Sequence, residues 1–417
     1  MPSQLRRAFH KSLELLARPV RRASGRGGFV VQPYRGYGSR DEVFLIGRVF
    51  RQPQFGARAR EGSVLAQLIA IARRLLRWGV ARGTLKVDFC GASVRVTTDR
   101  DGYFRVHLQP ASPPPADRLW HEMTIALVEP AAVAAAGEIF VPPAASRYVV
   151  ISDIDDTIVE TGVANKARML WNLFMRGPRS RVAFPGVAAL LQALHRGVSG
   201  TETNPMLYVS RGPWSIYEIL DEFFNLHAIP IGPILFLREW GLTLQSPLPR
   251  RAEGHKLALI RNMLALYRDL PFILIGDSGQ RDPEIYAQIV REHPGRVLAI
   301  YIRNVSHDAA RRQAIEDLAL EVVASDSSLL LAADSLAMAE HAAEHGLIRP
   351  EARSVVLEER AIQEEEPAPK PTVEITGRSA AETSRAVQEG ELEEALDEAR
   401  GTEAAPNVAV ETEDRQR

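Results

Sequence analysis

Between residues 147 and 345 the chain alternates short apolar runs with amphipathic stretches. Residues 148–152, 206–210, 234–236, 272–276 and 297–302 are continuous apolar segments. Helical spacing separates them, near 186–196, 215–226, 254–268, 282–292 and 308–318. Strands buried on both faces lose the usual in-out alternation, and strands separated by helices form βαβ units. The pattern predicts an α/β domain over 146–345 with a doubly wound parallel sheet.

Residues 29–145 follow another rhythm. Short β-rich runs at 43–50, 85–89, 93–97, 103–108 and 125–128 are separated by turn residues such as Asp99, Asp101 and Gly102. Val64, Leu65, Leu68, Ile69, Leu75 and Leu76 recur at helical spacing. A smaller, mainly-β, sandwich-like accessory domain with an inserted helix is expected, ending at Pro142-Pro143. Residues 3–18 predict a short amphipathic helix with Leu5, Phe9, Leu13 and Leu16 on one face, capped by Ser3 and stopped by Pro19. With the Arg- and Gly-rich linker behind it, this makes a segment of residues 1–28. From residue 351 the composition turns to Glu, Ala, Pro and Thr with few aromatics. An acidic, disordered tail is expected over 351–417.

Charge adds one thing to this picture. The 51 Lys and Arg balance 52 Asp and Glu across 417 residues, but residues 1–26 hold seven cations and one acid, Glu14. A basic, amphipathic head suits peripheral contact with an anionic membrane, or a targeting segment. The single cysteine, Cys90, permits neither an internal disulfide nor a cysteine-based metal site, which fits a reducing compartment. No apolar run reaches membrane-spanning length, and no secretory leader is evident. A cytoplasmic protein with peripheral membrane contact is expected. No nucleic-acid partner is expected, and the oligomeric state is left open.

The chemistry concentrates at the ends of the apolar runs. Asp153-Ile154-Asp155-Asp156-Thr157 follows the run at 148–152. Ser210 closes the run at 206–210 and precedes Arg211-Gly212-Pro213. Lys256 lies near a helix start in Gly254-His255-Lys256. Asp277 and Asp282 bracket a loop after the run at 272–276. Open α/β sheets bind ligands beyond the carboxyl ends of their strands. A hydroxyl, a lysine and several carboxylates converging there would supply a nucleophile, a proton donor, cationic cover and oxygen ligands for Mg²⁺, the needs of phosphoryl transfer.

In this order the segments resemble the four motifs of the haloacid-dehalogenase-like phosphatases. Within that superfamily, SDIDDTIVETG (152–162), YVSRGPW (208–214), GHK (254–256) and IGDSGQRDPEIY (275–286) are similar to the App1-type phosphatidate phosphatases, which are related to the lipin catalytic region. Tyr37-Gly38 and Gly47-Arg48-Val49 extend the likeness into the first domain. The resemblance implies Asp153 as nucleophile and Asp155 as general acid and base. It implies Ser210 and Lys256 as partners of the phosphoryl oxygens. Mg²⁺ would be held by Asp153, Asp155 through its backbone carbonyl, and Asp277, with Asp282 beside it or bound directly. Thr157 and Arg211 complete the candidate substrate-facing set with Ser210 and Lys256.

The implied activity is a Mg²⁺-dependent phosphohydrolase acting through an aspartyl-phosphate, with phosphatidate as the leading substrate. Only about fifty residues separate Thr157 from the run at 206–210, which leaves little room for a large lid and suits a substrate held on a surface. The alternatives are the same chemistry on another phosphomonoester or phosphoprotein, and a phosphatidate-binding module without turnover. The presence of both Asp153 and Asp155 argues against the last, and the second aspartate argues against a dehalogenase.

Overall fold

A computed structural model describes residues 28–51, 78–159, 183–212, 214–237, 252–306 and 308–365. The expected helices at 3–18 and 64–76 and the tail beyond residue 365 lie outside these residues. The described residues all belong to one unit of the chain, Met1–Glu366.

The first half forms a sheet of nine strands among the described residues: β1 (Phe29–Pro33), β2 (Gly36–Gly38), β3 (Val43–Arg51), β4 (Trp78–Gly79), β5 (Thr84–Phe89), β6 (Ala92–Thr97), β7 (Tyr103–Leu108), β8 (Trp120–Glu129) and β9 (Val133–Phe140). The order is β1-β3-β2-β9-β8-β5-β6, with β4 and β7 also paired to β3. Burial alternates along β7 and β8 as a half-buried strand requires. The inward residues, among them Val31, Leu45, Leu85, Phe104 and Ile125, form one core. Gly47 is needed within it, because a Cβ there would overlap the Phe104 ring. Cys90 is half-buried at the tight turn between β5 and β6.

The second half is a six-stranded parallel sheet: β10 (Val149–Asp153), β11 (Met206–Ser210), β12 (Ile234–Phe236), β13 (Phe272–Asp277), β14 (Val297–Arg303) and β15 (Ser328–Ala332), in the order β12-β11-β10-β13-β14-β15. Seven described α-helices accompany it: α1 (Val187–Arg196), α2 (Tyr217–Leu226), α3 (Ala252–Leu266), α4 (Asp282–Glu292), α5 (Ala309–Val323), α6 (Ser335–Glu344) and α7 (Ala352–Glu365). Val150, Tyr208 and Ile273 share a core with α1, α2, α6 and α7. Ile151, Leu207 and Leu274 share a second with α3, α4 and α5. Neighbouring residues of each strand thus point into opposite cores, which explains why these strands read as unbroken apolar runs.

Residues 352–365 correct the expectation of disorder from residue 351. They form α7, anchored by the fully buried Val356. Its polar side chains serve the start of α1, which has no side-chain cap of its own. Gly186 N donates to Gln363 Oε1 at 3.0 Å, and Ala189 N donates to Glu359 Oε2 at 2.7 Å. Carboxylate and amide oxygens satisfy open N–H groups at a helix start.

The two sheets meet beside β11. Tyr34 stacks on Trp214, with ring centres 4.7 Å apart, and packs on Tyr217. Gln32 Nε2 donates to Glu218 Oε1 at 2.7 Å, and the Arg35 guanidinium pairs with Asp221. The β unit therefore braces the segment that follows Ser210. Arg35 is 2% exposed and Asp221 29%, so the pair is only partly shielded. Arg35→Ala is expected to lower stability by about 1–3 kcal/mol, less than a fully buried pair would lose. Thermal melting measures it, and an unchanged melting temperature would show the contact to be idle.

Candidate active site

The strand order sets β10 between β11 and β13, so three carboxyl ends open side by side. Asp153 is the last residue of β10, Ser210 of β11 and Asp277 of β13. Asp153 lies in register with Val209, and the Ile154 N–H donates to the Val209 carbonyl at 3.0 Å. After Ile154 the chain turns sharply, with Asp156 at a positive φ of 56°. Lys256 sits in the first turns of α3, and Asp282 opens α4 with Pro283 behind it.

Four of the expected site residues form one buried cluster. Carboxylate oxygens of Asp153, Asp277 and Asp282 lie within 4.8 Å of one another, and all three side chains are fully buried. Lys256, 1% exposed, donates from Nζ to Asp282 Oδ1 at 2.6 Å and lies 3.3 Å from Asp153 Oδ1. The second Asp282 oxygen accepts the Asp277 N–H at 3.3 Å. With both oxygens engaged, Asp282 orients Lys256 and the Asp277 loop. Gly276 makes this approach possible, since a Cβ there would overlap the Asp282 carboxylate.

The electrostatics follow from the inventory. If all are ionised, three buried carboxylates directly face one ammonium group among the described residues, with the Arg311 guanidinium acting on Asp277 and Asp282 from further off. Burial holds the Asp153 carboxyl well above its usual range; Lys256 opposes this, while Asp282, Asp155 and Asp277 reinforce it. Burial, with Asp282 adding to it, pushes Asp277 up to about 7. For Lys256 burial disfavours the charge, but Asp153 and Asp282 outweigh it and hold its pKa well above the ordinary value. Among the described residues such a cluster has more carboxylates than cations in contact, and its donors are hard oxygens. That set fits a divalent cation such as Mg²⁺.

A pH dependence follows. Without a cation, the protonated Asp277 carboxyl favours the folded state. That contribution is complete below the ordinary value of 3.8 and is lost as pH rises through about 7. The melting temperature in EDTA is therefore expected to fall between about pH 5 and pH 8, and Mg²⁺ to restore more of it at the alkaline end. Melts with and without Mg²⁺ across this range measure both. A Mg²⁺ increment that shrinks toward alkaline pH would contradict the assignment.

The other expected residues sit nearby. Asp155 is 7% exposed, and its charge reaches Asp153. The Ser210 hydroxyl, buried at the end of β11, accepts the Gly212 N–H at 3.0 Å. The Thr157 hydroxyl and Arg211 Nε are buried and make no hydrogen bond among the described residues. Sequence reasoning missed two positioning arginines and a glutamine. Arg303, at the end of β14, donates from Nε to the Thr157 carbonyl at 3.0 Å. Arg311 donates to the Ser278 and Gln280 carbonyls at 2.8 and 2.6 Å while paired with Glu284. Gln280 lies inside the cluster itself, donating to Asp277 Oδ2 at 2.7 Å and Asp153 Oδ2 at 3.1 Å. Its place inside IGDSGQRDPEIY was the available signal. For the arginines the signal was only their place at a strand end and an early helix turn.

Comparison with known proteins agrees with this geometry. Residues 148–304 match the family described as "Phosphatidate phosphatase APP1, catalytic domain". Phosphatidate phosphatase APP1 of Saccharomyces cerevisiae is 35% identical over 158 residues, 38% of this chain and 26% of that protein. An uncharacterised protein of Schizosaccharomyces pombe is 30% identical over 160 residues, 38% of this chain and 25% of that one. The matched region thus spans about a quarter of each curated relative. Among solved structures, a carbohydrate acetylesterase from Xanthomonas citri aligns over 70% of this chain and 72% of that one, at 11% identity. Its TM-score of 0.23 carries no argument. The matched segment begins one residue before β10 and ends one residue after β14, so it contains every member of the buried cluster. Residues 148–304 are thus similar in sequence to the App1 catalytic domain.

Proposed function

We propose that the chain is a Mg²⁺-dependent phosphatidate phosphatase of the haloacid-dehalogenase-like type, releasing diacylglycerol and phosphate through an aspartyl-phosphate on Asp153. The observation that carries the chemistry is the division of labour between the two Asp153 oxygens. Oδ2 faces Asp277 and the Asp155 carbonyl through the Gln280 amide. Oδ1 accepts no hydrogen bond among the described residues and lies beside the Lys256 ammonium. One oxygen is directed at the cation position and the other is left to react.

Asp153 Oδ1 attacks phosphorus as the bond to the leaving alkoxide breaks, and Asp155 gives that alkoxide its proton. Asp155 then takes a proton from water, which attacks phosphorus and frees the Asp153 carboxylate. Lys256 and the Ser210 hydroxyl hold phosphoryl oxygens, and Lys256 also offsets the charge beside Oδ1. Mg²⁺ held by Asp153 Oδ2, the Asp155 carbonyl and Asp277 would neutralise the phosphoryl charge. The App1 match supports the lipid substrate.

The test is a panel assay of purified protein with Mg²⁺ or EDTA, using phosphatidate in mixed micelles, soluble phosphomonoesters and a phosphopeptide. Phosphate release from phosphatidate, abolished by EDTA, is expected. Full release in EDTA would remove the metal from the proposal, and a preferred soluble substrate would remove the lipid. Membrane contact through residues 3–26 belongs to the same proposal. Protein lacking residues 1–26 is expected to pellet less with anionic liposomes, and equal pelleting would end that part.

A further inference from the structure

Gln280 reaches into the place where the cation ligands converge, and we infer that its side-chain amide is a displaceable plug that sets cation affinity. This rests on the reading of Asp153, Asp155 and Asp277 as a cation site. Gln280 Nε2 lies 2.7 Å from Asp277 Oδ2, 3.1 Å from Asp153 Oδ2 and 3.3 Å from the Asp155 backbone carbonyl. These are the three oxygens assigned to the cation. An amide nitrogen carries two hydrogens, so three acceptors share them. Its partial positive charge stands in, weakly, for a cation there.

The other end of the amide argues for a temporary position. Gln280 Oε1 is buried and accepts no hydrogen bond among the described residues. A buried carbonyl without a partner is a standing penalty that outward rotation relieves. The backbone is fixed independently: Gln280 N donates to Asp277 Oδ1 at 2.8 Å, and its carbonyl accepts from Arg311 at 2.6 Å. The residue as a whole is only partly buried. The side chain can therefore leave while the loop stays in place.

A plug taxes affinity. If the amide fills the position nine-tenths of the time, the apparent Kd for the cation rises about tenfold. In return, the amide stands between the carboxylates of the metal-free protein for that same share of the time. Uptake then begins at higher cation concentration than the ligand set alone would dictate.

The test is a Mg²⁺ titration of wild-type protein, Gln280→Ala and Gln280→Asn by isothermal calorimetry, with melts in EDTA and in saturating Mg²⁺. The Asn variant keeps an amide one methylene too short, and it serves if the Ala variant does not fold in EDTA. The variants are expected to bind Mg²⁺ about tenfold more tightly. They should melt lower than wild type in EDTA and level with it in saturating Mg²⁺. Equal affinity overturns the plug, and weaker affinity overturns it by making Gln280 a partner of the bound cation. If wild-type protein takes up no Mg²⁺ in either measurement, the cation-site reading fails and the plug with it. If wild type binds and the variants match it, the plug alone fails.

Discussion

Asp153→Asn is expected to fold and to lose at least about 10⁴-fold in turnover, the scale seen when a nucleophile is removed from a site whose other parts remain. The substitution keeps the shape of the side chain. It also removes one charge from a buried cluster that has more carboxylates than cations in contact among the described residues, while Lys256 keeps Asp282 at 2.6 Å. In EDTA the variant should therefore melt no lower than wild type. Loss of turnover without loss of stability separates a reacting carboxylate from a structural one. Wild-type turnover in a folded Asp153→Asn protein would remove Asp153 from the chemistry.

Lys256→Met is expected to fail in both respects. Met has comparable length, so packing is largely kept, but the Asp153, Asp277 and Asp282 carboxylates lose the one ammonium that faces them among the described residues. Removing one partner of a buried ion pair costs about 3–5 kcal/mol. In EDTA the melting temperature should drop by roughly 10 °C. Mg²⁺ should return part of that stability, because it supplies the missing charge. It should not return turnover, because no cation then stands beside Asp153 Oδ1. A variant as stable as wild type in EDTA would mean that the carboxylates do not depend on that ammonium.

Much of the parallel sheet was legible because its strands are buried on both faces. The runs at 206–210 and 234–236 are the strands Met206–Ser210 and Ile234–Phe236. The last strand, Ser328–Ala332, was missed. It is a half-buried edge strand of five residues, entered through a turn with Asp326 at positive φ, and its short apolar run resembles a helical fragment. Val133–Phe140 was missed for the opposite reason. Its alanines favour helix, yet pairing along β8 and against β2 holds it extended. Tertiary partners also made the helix Ala352–Glu365, where Glu359 and Gln363 serve the start of a neighbouring helix. Composition counted those side chains as solvated. The placement of Asp153, Asp277, Asp282 and Lys256 could be read because each closes a strand or lies near a helix start. Gln280 could not be valued, because its meaning lies in where its amide points.

The central claim is a covalent bond between Asp153 and the transferred phosphoryl group, and trapping tests it most directly. The protein is mixed with substrate and Mg²⁺, quenched in acid during turnover, reduced with borohydride and digested for mass spectrometry. An acyl phosphate on Asp153 is reduced to homoserine, so conversion of residue 153, absent without substrate and absent in Asp153→Asn, is the expected result. Turnover with residue 153 recovered only as aspartate, or with the conversion at Asp155, Asp277 or Asp282, would contradict it.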